Sequence, residues 1–270
     1  MSQLTEETPT EETLADGGLL LSIGQGIATV TLSRPDSRNA VTEAMWRAIP
    51  PLCDRLANED VRAVLLTGAG DHFCGGADVA EFHRVFASPT AARSYNDLVE
   101  AGRLALTLVP CPTIAVVRGY AVGAGCGLSM ACDLRFVARD ARFSMPPARL
   151  GAAYPVTGTR QLVDLVGPSR AKDMLYSGRM VDAEEALAIG LADRVFASEN
   201  LMAEALVYAE SVANLSAGSH RITKQIVQAI CYGVDGEPPE LRSLFDGSFA
   251  GDDFAEGYRA FLEKRRPSFR

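Results

Sequence analysis

Histidine is scarce in this chain, with three residues in 270, and the six cysteines contain no CxxC pair. A structural zinc site is therefore not expected, and no other bound metal is indicated. Positive charge is also in short supply. There are 26 Lys and Arg against 34 Asp and Glu, a formal net charge of −8. That balance argues against a nucleic-acid partner, whose phosphates need clustered cations; an anionic small ligand needs only a few local ones. No apolar run approaches the roughly 20 residues that span a bilayer, so no membrane partner is expected. The first 18 residues, MSQLTEETPTEETLADGG, lack the basic start and apolar centre of a signal peptide. A cytoplasmic location is the resulting expectation. The cysteines lie in apolar runs, which suits small buried side chains in a reducing compartment.

What is present describes a globular chain. Hydrophobic residues make up 47% and charged residues 22%, and 270 residues allow one large domain, or one domain with a small appendage. Residues 1–14 are polar and acidic and read as a flexible tail. LLLSI (19–23) and IATVTL (27–32) flank Gly24-Gln25-Gly26, a hairpin signal. Thr42-Glu43 can start a helix running to about residue 58, which Pro50 and Pro51 should kink. VRAVLLTG (61–68) reads as a buried strand and is followed by a helix over 89–108. Next come a strand at 113–119, a glycine turn, a helix over 124–132, and strands at 134–138 and 142–144. This alternation predicts an α/β core. From about 157 helix dominates, with helical apolar spacing in 201–215, 220–233 and 254–265. The expected layout is a core over 15–200 and a C-terminal helical subdomain over 201–270.

The glycine-rich segment GAGCGL (123–128) fails the dinucleotide pattern GxGxxG, because Leu128 takes the third glycine position, and no GK[ST] follows. Residues 127–131, GLSMA, narrowly miss the GxSxG elbow of serine hydrolases; Ser129 is expected inside a helix instead. A strand followed by GxGxG and a helix offers something else. It presents backbone N–H groups at a helix start with no bulky side chain in the way, where negative charge is favoured. Gly75-Gly76-Ala77 forms a second glycine turn. Two converging amides would make an oxyanion hole, worth about 3 kcal/mol per donor. Either turn taken alone would ordinarily be only a tight turn.

FCGGADVAEF (73–82), GYAVGAGCGLSMACD (119–133) and RFSMPPARLG (142–151) closely resemble the active-site blocks of the crotonase superfamily, the enoyl-CoA hydratase/isomerase family. DDFAEGYRAFLEKRRPSF (252–269) is similar to that family's C-terminal helix, and the likeness extends over roughly 19–269. The resemblance implies an α/β fold of ββα spiral turns and a coenzyme A thioester as substrate, with no separate cofactor. It puts the two oxyanion amides on Ala77 and Ala124. It puts the ligand's contacts on the turn Arg38-Asn39-Ala40, on Gly76, Asp78, Val79 and Ala80, and on Gly123. Lys264, Arg265 and Arg266 would reach the CoA phosphates; a solvated helix end is the equal alternative. It also implies trimers or hexamers, with the C-terminal helices as the trimerisation element.

The chain departs from that pattern where hydratases carry two glutamates. Motif against motif, those positions fall on Gly127 and Pro147, and a third carboxylate position falls near Pro155. None of these can ionise. Asp78 and Asp133 remain, with structural roles implied. Tyr154, in LGAAYPVTG (150–158), resembles a tyrosine of methylmalonyl-CoA decarboxylases, although their histidine at the oxyanion turn is Ala77 here. A packed aromatic is the competing reading. Three outcomes stay open: an acyl-CoA enzyme with an enolate-like intermediate, a malonyl-type decarboxylase, or a non-catalytic acyl-CoA binder. Glu81, His83 and Arg84 fit a pocket-covering segment less well than a surface one. Cys126 is expected to be a packing residue, and His72 and His220 structural.

Overall fold

The computed structural model describes residues 10–269. It begins with three antiparallel strands, β1 (Thr10–Leu14), β2 (Leu19–Gly24) and β3 (Ile27–Leu32). Helix α1 (Glu43–Asn58) starts at Thr42, whose side chain accepts from Met45 N. It runs unbroken through Pro50 and Pro51. Strand β4 (Ala63–Gly68) follows, then the short α2 (Phe82–Val85) and the long α3 (Pro89–Thr107).

Two strand–strand–helix turns come next. The first is β5 (Thr113–Val117), β6 (Tyr120–Val122) and α4 (Ala124–Ala131). The second is β7 (Leu134–Ala138), β8 (Arg142–Ser144) and α5 (Val156–Ser177), which Gly167 kinks. In each turn the first strand joins a seven-stranded sheet, ordered β1-β2-β3-β4-β5-β7-β10. The second strand joins a three-stranded sheet, β6-β8-β9. From β3 onward the large sheet is parallel. The spiral closes with β9 (Val181–Asp182), α6 (Ala183–Ile189) and β10 (Arg194–Phe196). Helices α7 (Leu201–Ala213), α8 (Ala217–Cys231), α9 (Pro239–Ser248) and α10 (Asp252–Glu263) complete the chain. The expected α/β spiral with C-terminal helices is the fold observed.

Every residue of β4 is buried, because both faces of the sheet are covered. Val64 and Leu66 face the main core with Trp46, Leu106 and Leu128. Ala63 and Leu65 face the other way, toward Leu201, Ala205, Ala209 and Ala213 of α7. Small side chains at four-residue spacing let α7 lie close on the sheet.

One expected boundary shifts. The predicted flexible tail of residues 1–14 is too long: residues 1–9 lie outside the described residues, but Thr10–Leu14 pair with β2. An edge strand facing solvent needs no apolar run, and Glu12 pairs with Arg55 of α1. Beyond the expected boundary at 200, α7 still covers one face of the sheet.

Candidate active site

The loop after β3 is tied down first. Asn39 is buried in a left-handed conformation, φ 56°. Its side chain donates to Ala69 O at 2.8 Å and His72 O at 2.6 Å. Arg34 donates to Ala40 O at 2.7 Å and pairs with Asp78 at 2.8 Å. Arg38 O accepts from Gly75 N at 2.7 Å. Its exposed guanidinium lies 5.5 Å from the Tyr120 ring centroid. Residues 38–41 are thus locked against 75–78.

That second segment then docks on the β6–α4 junction. Cys74 N donates to Tyr120 O at 2.8 Å, and Val122 N donates to Cys74 O at 3.0 Å. Gly125 must be glycine here, because a Cβ would fall under 3 Å from Cys74 O. Gly76 and Gly123 hold φ of +126° and +53°, conformations that L side chains rarely adopt. The two glycine turns are therefore neighbours, separated in sequence but stitched by backbone bonds.

Ala77 lies between two hydrogen bonds to Val41: Val41 N to Gly76 O, 2.8 Å, and Asp78 N to Val41 O, 2.9 Å. Successive amides of an extended chain point to opposite sides, so Ala77 N–H points away from Val41. It meets no acceptor among the described residues. Ala124 is the first residue of α4, and its N–H likewise has no acceptor there. Neither alanine has positive φ. Gly123, by contrast, donates to Ser144 O at 2.8 Å.

Beneath α4, Gly127 looks onto Tyr154. A Cβ on Gly127 would come under 3 Å from the Tyr154 hydroxyl and 3.4 Å from Arg103 Nε. The Arg103 side chain is 4% exposed. It donates through Nη1 to Glu100 at 2.9 Å and through Nη2 to Gln161. Its Nε has no hydrogen-bond partner among the described residues, and its Cζ is 5.7 Å from the Tyr154 ring centroid. Burial pushes the Tyr154 phenol up to about 12, and the Arg103 guanidinium works in the opposite direction.

The sequence pointed to Tyr154 but gave no role to Arg103, Glu100 or Gln161. The available signal was a lone cation in AGRLALT (101–107), on the inward face of α3.

Other candidates fall into structural places. Asp78 pairs with Arg34 and caps the turn Val79–Glu81 by accepting from Ala80 N at 3.0 Å. Val79 and Ala80 are exposed beside it. Asp133 accepts from Thr113 N at 2.8 Å and Lys224 Nζ at 2.8 Å, fastening α8 to the sheet. Ser129 is buried inside α4 and donates to Cys126 O, so it is no nucleophile elbow. Burial pushes the Cys126 thiol up to about 12. His72 packs against Tyr120 with ring centroids 4.7 Å apart and the rings tilted by 38°. Glu81 and Arg84 pair with each other, and Arg84 also pairs with Glu43. Lys264 ends α10 in a left-handed conformation, φ 55°, and is exposed. No hydrogen bond or ion pair among the described residues links it to either glycine turn. An apolar void lined by Leu19, Ile49, Leu52, Leu106 and Leu128 lies in the core and has no polar lining; it is packing space.

A spiral of strand–strand–helix turns, with two glycine turns side by side, is the crotonase class of α/β protein. The family model for enoyl-CoA hydratase/isomerase matches residues 22–270, and the chain belongs to that family. A Mycobacterium tuberculosis protein, "Probable enoyl-CoA hydratase echA8", is 34% identical over 257 residues, covering 93% of this chain and 97% of its own. The crystal structure of an enoyl-CoA hydratase/isomerase family protein from Hyphomonas neptunium superposes with a TM-score of 0.91 at 38% identity, covering 94% and 97% of the two chains. An enoyl-CoA hydratase from Mycobacterium smegmatis gives 0.85 at 31%, covering 93% and 98%.

Proposed function

We propose that the protein acts on an acyl-CoA thioester and stabilises its enolate with the amides of Ala77 and Ala124. The observation that carries this reading is the pair of unpartnered N–H groups on adjacent turns, one of them at a helix start. Charge develops on the thioester oxygen as the enolate forms, and each such donor contributes about 3 kcal/mol to the transition state. CoA would lie along the face formed by Arg38, Ala40, Gly76, Asp78, Val79, Ala80 and Gly123, with Lys264 as a phosphate contact. The thioester is itself the substrate, so the scheme needs no further cofactor.

Hydration by two glutamates does not fit these residues. Gly127 and Pro147 stand where the resemblance puts them, and neither can take or give a proton. A second reading is decarboxylation of a malonyl-type thioester, and the Tyr154 hydroxyl at Gly127 favours it. The C–C bond to the carboxylate breaks and its electron pair enters the thioester as an enolate. CO2 leaves, and a proton reaches the carbon from Tyr154 or from water through it. No base is required.

Assembly as a homotrimer or hexamer is part of the proposal. Ile230, Phe245, Phe249, Phe254 and Phe261 of the C-terminal helices and their connections are between 45% and 82% exposed, an apolar surface that suits subunit packing. A monomer by light scattering at micromolar concentration would remove that part. Free thiols buried at Cys53, Cys74, Cys111, Cys126 and Cys132 accord with a cytoplasmic location.

The test is a panel of acyl-CoA thioesters, followed by mass spectrometry for products and by calorimetry for binding. Turnover of any member supports the enzyme. Binding throughout without turnover would make the protein an acyl-CoA carrier. Absence of both would remove the reading.

A further inference from the structure

Arg103 and Tyr154 lie side by side across the gap between α4 and α5. At the α5 end, a Cβ on Gly158 would fall under 3 Å from Tyr154 Cε1 and from both Nη atoms of Arg103. At the α4 end, a Cβ on Gly127 would fall under 3 Å from the Tyr154 hydroxyl and 3.4 Å from Arg103 Nε. Glycine is a poor helix residue, and here two helices use it where the pair passes.

The guanidinium is almost wholly buried and is gripped from two helices. Nη1 donates to Glu100 of α3 at 2.9 Å, and Nη2 donates to Gln161 of α5. Glu100 is held in turn by the Thr157 hydroxyl, and Gln161 donates to Thr107 at 3.3 Å. Nε is sealed and has no partner among the described residues. Burying a cation with one N–H unpaired is costly, and an apolar side chain would fill such a space without that cost. The neighbour that gives the cation a use is Tyr154, whose ring centroid lies 5.7 Å from Cζ. The Tyr154 hydroxyl makes no hydrogen bond among the described residues either, yet it is not sealed. Arg103 therefore cannot touch a ligand, whereas the hydroxyl beside it is open to solvent.

We propose that Arg103 is a positioning residue for Tyr154: it holds the phenol against α4 and offsets the negative charge left on the oxygen when the hydroxyl gives its proton to the substrate carbon. The proposal rests on the decarboxylation reading of the site, and its test separates the two. In the step concerned the O–H bond breaks, a C–H bond forms, and the phenolate regains a proton from water at its open side. A cation beside the ring favours the charged form. Burial pushes the phenol up, and the Arg103 charge is the largest influence in the opposite direction.

Two measurements test this. In protein carrying tyrosine labelled with 13C at Cζ, the Tyr154 resonance is the one absent from Y154F. It should move or broaden in R103Q and in Q161A while the remaining tyrosine resonances stay. An unmoved Tyr154 resonance in both variants overturns the positioning, whatever the enzyme does. The second measurement is turnover of malonyl-CoA and methylmalonyl-CoA by the wild type, R103Q, Y154F and the double variant. R103Q should lower kcat at least about tenfold with KM within about threefold, as for an interaction used only in the transition state. In the Y154F background R103Q should cost nothing further, because residues that act as a unit are not additive. The same loss on top of Y154F would make Arg103 merely structural and overturn the proposal, as would a wild-type kcat in R103Q. Thermal melting shows whether R103Q folds. Should it not, Q161A takes its place in both measurements; it frees one end of the guanidinium and leaves the charge paired with Glu100, and its loss in kcat should be at least about threefold. Absence of turnover of either thioester by the wild type would remove the decarboxylation reading and the proton-donor role with it, and the resonance would still report whether Arg103 holds the ring.

Discussion

The hydroxyl of Tyr154 occupies the space into which a side chain at Gly127 would grow, closer than 3 Å to the Cβ position. Glycine inside a helix is about 1 kcal/mol worse than alanine, so its presence in α4 is an expense that local structure does not explain. Tyr154 explains it. Gly127→Ala should leave the melting temperature within a few degrees, since the helix gains what displacement of a flexible aromatic tip loses. Turnover of the natural acyl-CoA should nevertheless fall at least about tenfold, because the phenol is pushed off its position. Wild-type turnover in Gly127→Ala, read by steady-state assay, would return Tyr154 to a packing role.

Crotonyl-CoA hydration should be very slow. Loss of a general acid or base costs about 100- to 10,000-fold, and the proposed function puts Gly127 and Pro147 where hydration would need two carboxylates. Hydration followed at the enoyl thioester absorbance should therefore fall at least about 100-fold short of relatives that carry both glutamates. A rate equal to theirs would mean that another group, with Glu100 the first suspect, performs the proton transfers.

Much of this site is legible from sequence because its requirements are local. Gly76 and Gly123 are fixed by positive φ, Gly125 by close approach to Cys74, and such demands appear as glycine in fixed spacing. The buried strands β4 and β5 appear as apolar runs for a similar reason. The remainder depends on contacts between distant segments. β1 is a polar edge strand whose pairing, not composition, orders it. The two- and three-residue strands β9 and β10 are too short to show a period. Arg103 becomes notable only when α3, α4 and the Tyr154 loop meet, and no window of sequence contains all three.

Alkaline pH should destabilise the fold through its sealed thiols. Burial pushes Cys74, Cys126 and Cys132 from an ordinary value near 9 up to about 12. Between those limits the unfolded chain releases protons that the folded chain keeps. Stability is therefore fully present below about pH 8 and falls as pH rises toward 12, by at most about 1.4 kcal/mol per pH unit for each thiol. Urea midpoints from pH 7 to 10.5 should be flat at first and then decline. Thiol labelling of the folded protein at pH 8 should show one fast site, the exposed Cys231, lost in Cys231→Ser. Rapid labelling of several thiols would show that the interior opens readily.

The oxyanion assignment is tested most directly at Ala77. Proline there removes one N–H and adds no charge. The hydrogen bonds that hold the segment use Gly76 O and Asp78 N, not Ala77 N, and Ala77 has no positive φ to forbid the ring. Ala77→Pro should therefore fold. Deleting one oxyanion donor costs about 3 kcal/mol, or roughly 100- to 1,000-fold in turnover. Ala77→Gly keeps the amide and should stay within about tenfold of wild type, the residual loss reflecting a looser turn. Parallel losses in the two variants would assign the effect to the turn's shape. A wild-type rate in Ala77→Pro, with unchanged acyl-CoA affinity by calorimetry, would place the thioester oxygen elsewhere and leave the Ala124 amide at the start of α4 as the donor to examine next.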